Sequence, residues 1–312
     1  MCACPVSNNG TEIRLLTPAP AASRLSAETA DLKTPIEPNT EHRQHDNSPR
    51  GGTIAKGFAL LQCFTDQPYP LGNSELAERL GYPKPTVSRL CKTLCELGYL
   101  DWDARLDKYF IGAQVLALGY PYLVGLHVRH LARPLMQAMA DRIQGAVSLG
   151  VARGLDVVYL ESCTYNEGTL ARPGVGASRS VITTAMGRAY LATLDARTFE
   201  AKMEQARMER PDEYATCYET VCRNVARYPQ RGYAVNEGDA GRGVHGVGVA
   251  SRVFYHRDPL LFNCAIQASH LASGQLEGSI AVQLLDVVRA VESTAGTASR
   301  NATPGISGTP SH

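Results

Sequence analysis

The segment NSELAERLGYPKPTVSRLCKTLCELGYL, residues 73–100, constrains the fold more than any other. It writes two short amphipathic helices around a turn of three residues. The first is expected to be capped by Asn73 or Ser74, with Glu75 in its first turn and Gly81 at its end. Pro85 suits the first position of the second helix, where a missing N–H costs nothing. Val87, Leu90, Cys91 and Leu94 fall at i, i+3, i+4 and i+7, a buried stripe, and Gly98 closes the helix. Upstream, Ile54, Phe58, Leu61 and Phe64 repeat with helical spacing; downstream, YLDWDARLDKYFIG alternates as two short strands around a polar turn. Helix, helix, turn, helix, hairpin is the order of a winged helix-turn-helix, expected over residues 53–112.

With that stripe inward, a step of about 100° per residue turns Ser88, Arg89, Lys92 and Glu96 outward. Lys84 stands just before the helix. The whole chain carries a formal net charge of only +1 over 312 residues, so a nucleic-acid reading rests on this local clustering. Arg89 can fork onto a guanine edge or a phosphate, Thr86 and Ser88 can bond to either, and Lys84 suits phosphate. Arg105, at the hairpin turn, is placed as a wing residue. The competing reading is a solvated helix face.

Residues 1–52 hold no Phe, Trp or Tyr and are expected, with 294–312, to be disordered tails. Ala113–Ile143 reads as helix interrupted at Pro121 and Pro134. AVSLGVARGLDVVYLESC reads as a hairpin turning at Arg153-Gly154, later strands and loops follow, and a last helix spans about Gly278–Glu292. Strands and helices without strict alternation give an α+β domain. No apolar run approaches the roughly 18 residues of a membrane span, and MCACPVSNNGTEIRLL lacks the order of a secretory signal, which predicts a cytoplasmic protein. The nine cysteines show no paired metal-ligand spacing, so neither metal nor other cofactor is expected. Glycines 238, 241, 243, 246 and 248 match no phosphate-binding loop.

These motifs together resemble the IclR (isocitrate lyase regulator) family of bacterial transcription factors. The likeness rests on KGFALLQCF, on the segment above and on KYFIG. In the C-terminal half it rests on VVYLES, VGASRSVITTAMGRAYLA, RGYAVNEGDAGRGVHGVGVASRV and AIQASH. It implies a winged helix-turn-helix at 53–112, a dimerising linker helix at 113–128 and a GAF-like α+β effector-binding domain at 129–293. It also implies homodimers or tetramers on palindromic double-stranded operators, controlling catabolic genes in response to a small organic acid, with RNA polymerase a further partner. The effector contacts it implies come from the segment Thr183–Gly187, with Thr184, Ala185 and Met186 at its centre. Family members add an Asp, a Cys and two Ser; here those places hold Asn236, Gly246, Gln267 and Ser269, so only Ser269 matches. Gly246 is expected to open volume and Asn236 to remove a negative charge, favouring a larger carboxylate, aromatic acids included, with His245 or Arg242 supplying charge.

Two other readings compete with this one: a thiol switch at Cys91 and Cys95, and an enzyme with Cys163 or Cys264 as nucleophile and His245, His256 or His270 as base. No motif joins thiol, base and orienting group, and Cys91 falls on the core stripe.

Overall fold

The computed structural model describes residues 52–65, 69–166, 173–238 and 243–301, with side chains as far as Ala295. The tail residues 1–51 and 302–312, and Gly241 and Arg242, lie outside the described residues. The chain divides into two compact units, one ending at Ile111 and the other beginning at Gly112.

The N-terminal unit runs α1 (Thr53–Gln62), α2 (Asn73–Leu80), α3 (Lys84–Glu96), β1 (Leu100–Asp103) and β2 (Lys108–Ile111), the order expected. Leu60, Phe64, Leu71, Leu76, Val87, Leu90, Cys91 and Leu100 form its core. Each large aliphatic side chain fully buried there contributes roughly 1.5–3 kcal/mol. Three local expectations change. In α1 and the turn after it the inward residues are Leu60, Leu61 and Phe64, while Ile54 and Phe58 are exposed. The residue capping α2 is Gly72, whose N–H is accepted by the Glu75 carboxylate at 2.6 Å. Pro85 occupies the second position of α3, because the Pro83 carbonyl already accepts from Thr86 and Val87 and so begins the helix. Gly81 (φ 65°) and Gly98 (φ 76°) take the left-handed conformation that ends α2 and follows α3.

The second unit begins with α4 (Gln114–Gly125) and α5 (His127–Ile143). Pro121 and Pro134 lie inside these helices, and the break falls at Leu126, whose ψ of 69° leaves the helical region. In α5 the burial of Ala132, Met136, Met139, Ala140 and Ile143 offsets a proline cost of about 3 kcal/mol. Next come β3 (Ala146–Arg153), β4 (Asp156–Thr164), β5 (Ser178–Ser180), α6 (Ala185–Leu191), α7 (Ala196–Glu209) and α8 (Pro211–Arg231). Then follow β6 (Ala234–Glu237), β7 (Val244–Tyr255), β8 (Asp258–Gln267), a π turn at Leu276–Ile280 and α9 (Ala281–Asn301). The last helix therefore passes Glu292 and continues into the segment expected to be a tail.

Among the described residues the sheet has the order β5-β4-β3-β8-β7-β6, with every pair antiparallel. Val147, Leu149, Phe262 and Val249 pack with α5 and α9 on one face. Val157, Tyr159 and Leu261 pack with α6, α7 and α8 on the other. Glu161, 2 % exposed, ties β4 to α5 through Arg129 at 2.8 Å and Arg133 at 2.6 Å.

Candidate functional site

In the N-terminal unit, α3 presents Lys84, Ser88, Arg89 and Lys92 to solvent, while Thr86 is half-buried and Pro85 exposed. Val87, Leu90 and Cys91 are buried and Leu94 half-buried, so the outward face predicted from spacing is the outward face observed. Lys92 reaches Glu96 one turn on at 4.0 Å, an exposed pair that adds little. The first turn of α3 holds no acid, and Lys84 is its first residue. A cation at the positive end of a helix is unfavourable by about 0.3–1 kcal/mol, and the same arrangement attracts an incoming anion such as a phosphate. Arg105 is exposed in the β1–β2 turn, where its N–H and that of Leu106 are held by the Asp103 carboxylate.

The thiols do not suit a switch. Burial pushes the Cys91 thiol up to about 12 and raises that of Cys95. Cys163 is pushed to about 11 and Cys264 to about 12, again chiefly by burial, so both stay protonated and poorly nucleophilic near neutrality. In the native protein, alkylation of Cys91 by iodoacetamide is expected to be slow at pH 8 and to accelerate only as pH climbs toward 12. Because the folded thiol titrates above the ordinary 9.0, its contribution to stability is complete below that pH and is lost as pH rises. Peptide mapping of labelled protein across pH checks this.

In the second unit, the sheet face beneath α6 carries a row of polar groups that spacing alone did not reveal. Register sets Ser162 beside Ser148, Ser148 beside Asn263, and Asn263 beside Gly248. The two serine hydroxyls are 3.0 Å apart. Ser148 and Asn263 are buried, and Asn263 Oδ1 has no hydrogen-bond partner among the described residues. A buried acceptor without a partner costs about 1–3 kcal/mol and is the kind of group a bound donor relieves. At the Gly248 end the start of α6 lies directly on the strand: a Cβ on Gly248 would stand 2.2 Å from the Ala185 carbonyl oxygen. Thr184 caps α6 by accepting the Gly187 N–H at 3.1 Å, and its carbonyl takes the Arg188 N–H. Ala185 and Met186, the first two helical residues, thus bring N–H groups that no earlier turn of α6 can satisfy.

The effector residues implied by the resemblance separate into two groups. Thr184, Ala185, Met186, Asn236 and Gly246 converge: Asn236 pairs with Gly246 across β6 and β7, and its Nδ2 donates to the Thr183 carbonyl. Gln267 lies at the end of β8 opposite Val244, half-buried, and Ser269 is exposed in a 3₁₀ turn rather than on the strand. One expectation is corrected, and one residue is found engaged within the fold. Gly246 does not open volume, since a Cβ there would approach the Cys264 carbonyl oxygen to 2.8 Å; it is glycine because strands and helix close on it. Asn236 is committed to the protein at both ends of its amide, donating to Thr183 and accepting the Gly238 N–H at 2.9 Å. A carboxylate could not make that donation.

Residues 53–104 match the IclR helix-turn-helix domain, and residues 120–292 match the bacterial transcriptional regulator IclR C-terminal domain. The chain belongs to the IclR family. It is a DNA-binding transcriptional regulator and not an enzyme. Among curated IclR-type relatives, the HTH-type transcriptional regulator TsaQ1/TsaQ2 of Comamonas testosteroni is 32% identical over 77% of this chain and 87% of that protein. The Pca regulon regulatory protein of Pseudomonas putida is 29% identical over 46% of this chain and 49% of its own. An IclR family transcriptional regulator from Brucella abortus has a crystal structure that superposes with a TM-score of 0.69 at 33% identity, covering 78% of this chain and 91% of that one. IclR regulators bind DNA operators and small-molecule effectors. Among the described residues no helix is long and apolar enough to cross a membrane.

Proposed function

We propose that this IclR regulator controls catabolic genes by changing its operator affinity when a small hydroxylated organic acid, aromatic acids included, settles on the sheet beneath α6. The observation that carries the reading is the row Ser162, Ser148 and Asn263, which ends on the unpartnered Asn263 oxygen. A ligand hydroxyl would donate to that oxygen. Its carboxylate would take the Ala185 and Met186 N–H groups, where helix dipole and orphan donors favour an anion. Lys84, Thr86, Ser88, Arg89 and Lys92, with Arg105 on the wing, would hold a palindromic operator, each protomer reading one half-site.

A homodimer, or a tetramer built from it, is supported by α4. This helix has no fully buried residue, packs Tyr122 and Leu123 half-buried against the core, and leaves Leu116, Tyr120 and Val124 exposed along one face, with little burial of its own to offset Pro121. A partner helix packed on that face would supply it.

Calorimetric titration of the full chain with 4-hydroxybenzoate, benzoate and short aliphatic acids tests the effector reading. The hydroxylated acid is expected to bind about tenfold more tightly than the acid lacking its hydroxyl, and Asn263→Ala is expected to erase that difference. Equal affinity for the two acids, or a difference that survives Asn263→Ala, overturns it.

A further inference from the structure

Beyond the sheet face, α8 and β6 enclose a groove of about 250 Å³ whose wall is basic. Arg223, Arg227 and Arg231 line it from successive turns of α8. Arg231 is occupied: it pairs with Glu277 at 2.8 Å and stands over the Tyr233 ring at 5.9 Å. Arg223 and Arg227 have no acidic partner within 4.0 Å among the described residues. Two like charges one turn apart repel by about 0.2–0.5 kcal/mol on a helix surface. An anion lying between them removes that repulsion and gains forked, charge-assisted hydrogen bonds. Glu237 also lines the groove and would oppose it, so both arginines are needed to make the site attractive.

The floor of the groove is mechanically connected. Asn224 accepts the Val235 N–H at 2.7 Å and donates to the Thr220 carbonyl at 2.9 Å. On its far side the Val235 carbonyl accepts from Nη1 of the fully buried Arg188 at 2.9 Å, and Arg188 Nε reaches the Ile182 carbonyl at 2.9 Å. One residue of β6, Val235, is thus held through both its flanking peptides, by Asn224 on the groove side and by Arg188 of α6 on the other.

We propose that this groove is a second ligand site, distinct from the sheet face beneath α6, that takes a small polyanion bearing carboxylate or phosphate groups. Its position on Val235 makes α6 the element that senses occupancy.

Titrating the full-length protein at constant, low ionic strength with citrate and, separately, with inorganic phosphate tests the proposal. Saturable binding at one site per chain is expected for at least one probe. Tighter citrate points to carboxylate ligands, and tighter phosphate to phosphorylated ones. The double variant Arg223→Gln/Arg227→Gln should weaken binding by about tenfold or more, and Glu237→Gln should strengthen it a few-fold. Arg207→Gln, which removes an exposed arginine paired with Glu204, controls for nonspecific charge. Asn263→Ala leaves this binding unchanged if the two sites are separate, so the effector reading fails or stands on its own. Absence of saturable binding by either probe in the millimolar range, or binding indifferent to the double substitution, overturns the proposal. The arginines are exposed, and thermal melts verify that the variants remain folded.

Discussion

Arg89→Ala is expected to lower operator affinity by about 10- to 100-fold, the cost of roughly 1–3 kcal/mol for one lost base contact, while the protein stays folded. Arg89 is exposed on α3 and supports no core residue, so its removal does not touch Val87, Leu90 or Cys91. Lys84→Ala should behave differently. As a phosphate contact it weakens all DNA sequences alike and reduces the salt slope of binding by about one. Fluorescence anisotropy with a duplex from the region upstream of the regulator's own gene, at several salt concentrations, separates the two. Unchanged affinity in Arg89→Ala would exclude α3 as the reading helix.

Gly248→Ala is expected to have the largest effect in the second unit. The added Cβ would meet backbone atoms, the Ala185 oxygen at 2.2 Å and the Met186 nitrogen at 2.5 Å, rather than a side chain able to swing away. The start of α6 must lift from the sheet. Overpacking of this kind costs about 1–3 kcal/mol or more, which for a unit of this size lowers the melting temperature by roughly 2–12 °C. Effector binding should fall further than stability, because the displaced backbone carries the Ala185 and Met186 N–H groups. Gly174→Ala is the control: nothing lies within 4 Å of its Cβ, and a shift within about 0.5 kcal/mol is expected. Calorimetric melts of both variants check the pair, and a Gly248→Ala protein melting with the wild type would mean that α6 is not pressed on β7.

How much of this could be read from residues alone differs between the two units. In the N-terminal unit the signals are local. Helical periodicity at Val87, Leu90, Cys91 and Leu94, glycines at 81 and 98, and a proline in the first turn specify α3 and its outward face within a residue or two. The errors there were errors of neighbourhood. Ile54 and Phe58 have the right spacing in α1, yet Leu60 faces the core, because spacing does not say which of two apolar stripes meets α2 and α3. Likewise Leu126, with no proline, ends α4, while Pro121 and Pro134 do not.

The candidate effector site was legible only in part. The family motif located Thr184, Ala185 and Met186, but it could not show that Asn236 is tied to Thr183, or that Gly246 has no room beside Cys264. Nor did it reveal Ser148, Ser162 and Asn263, two from the arms of one hairpin and the third from a strand much later in the chain, which meet only through β-sheet register. The segment 196–231 carried no motif, yet as α7 and α8 it covers that sheet face and supplies the arginine groove. By itself, then, the sequence determined the family, the reading helix and its outward basic face, since each depends on residues within a few turns of one another. The tertiary structure alone decided which polar groups share a face, which glycines are pressed between backbones and which side chains keep a free hydrogen bond. Those properties depend on strand register and on the distance between elements, which no local spacing encodes.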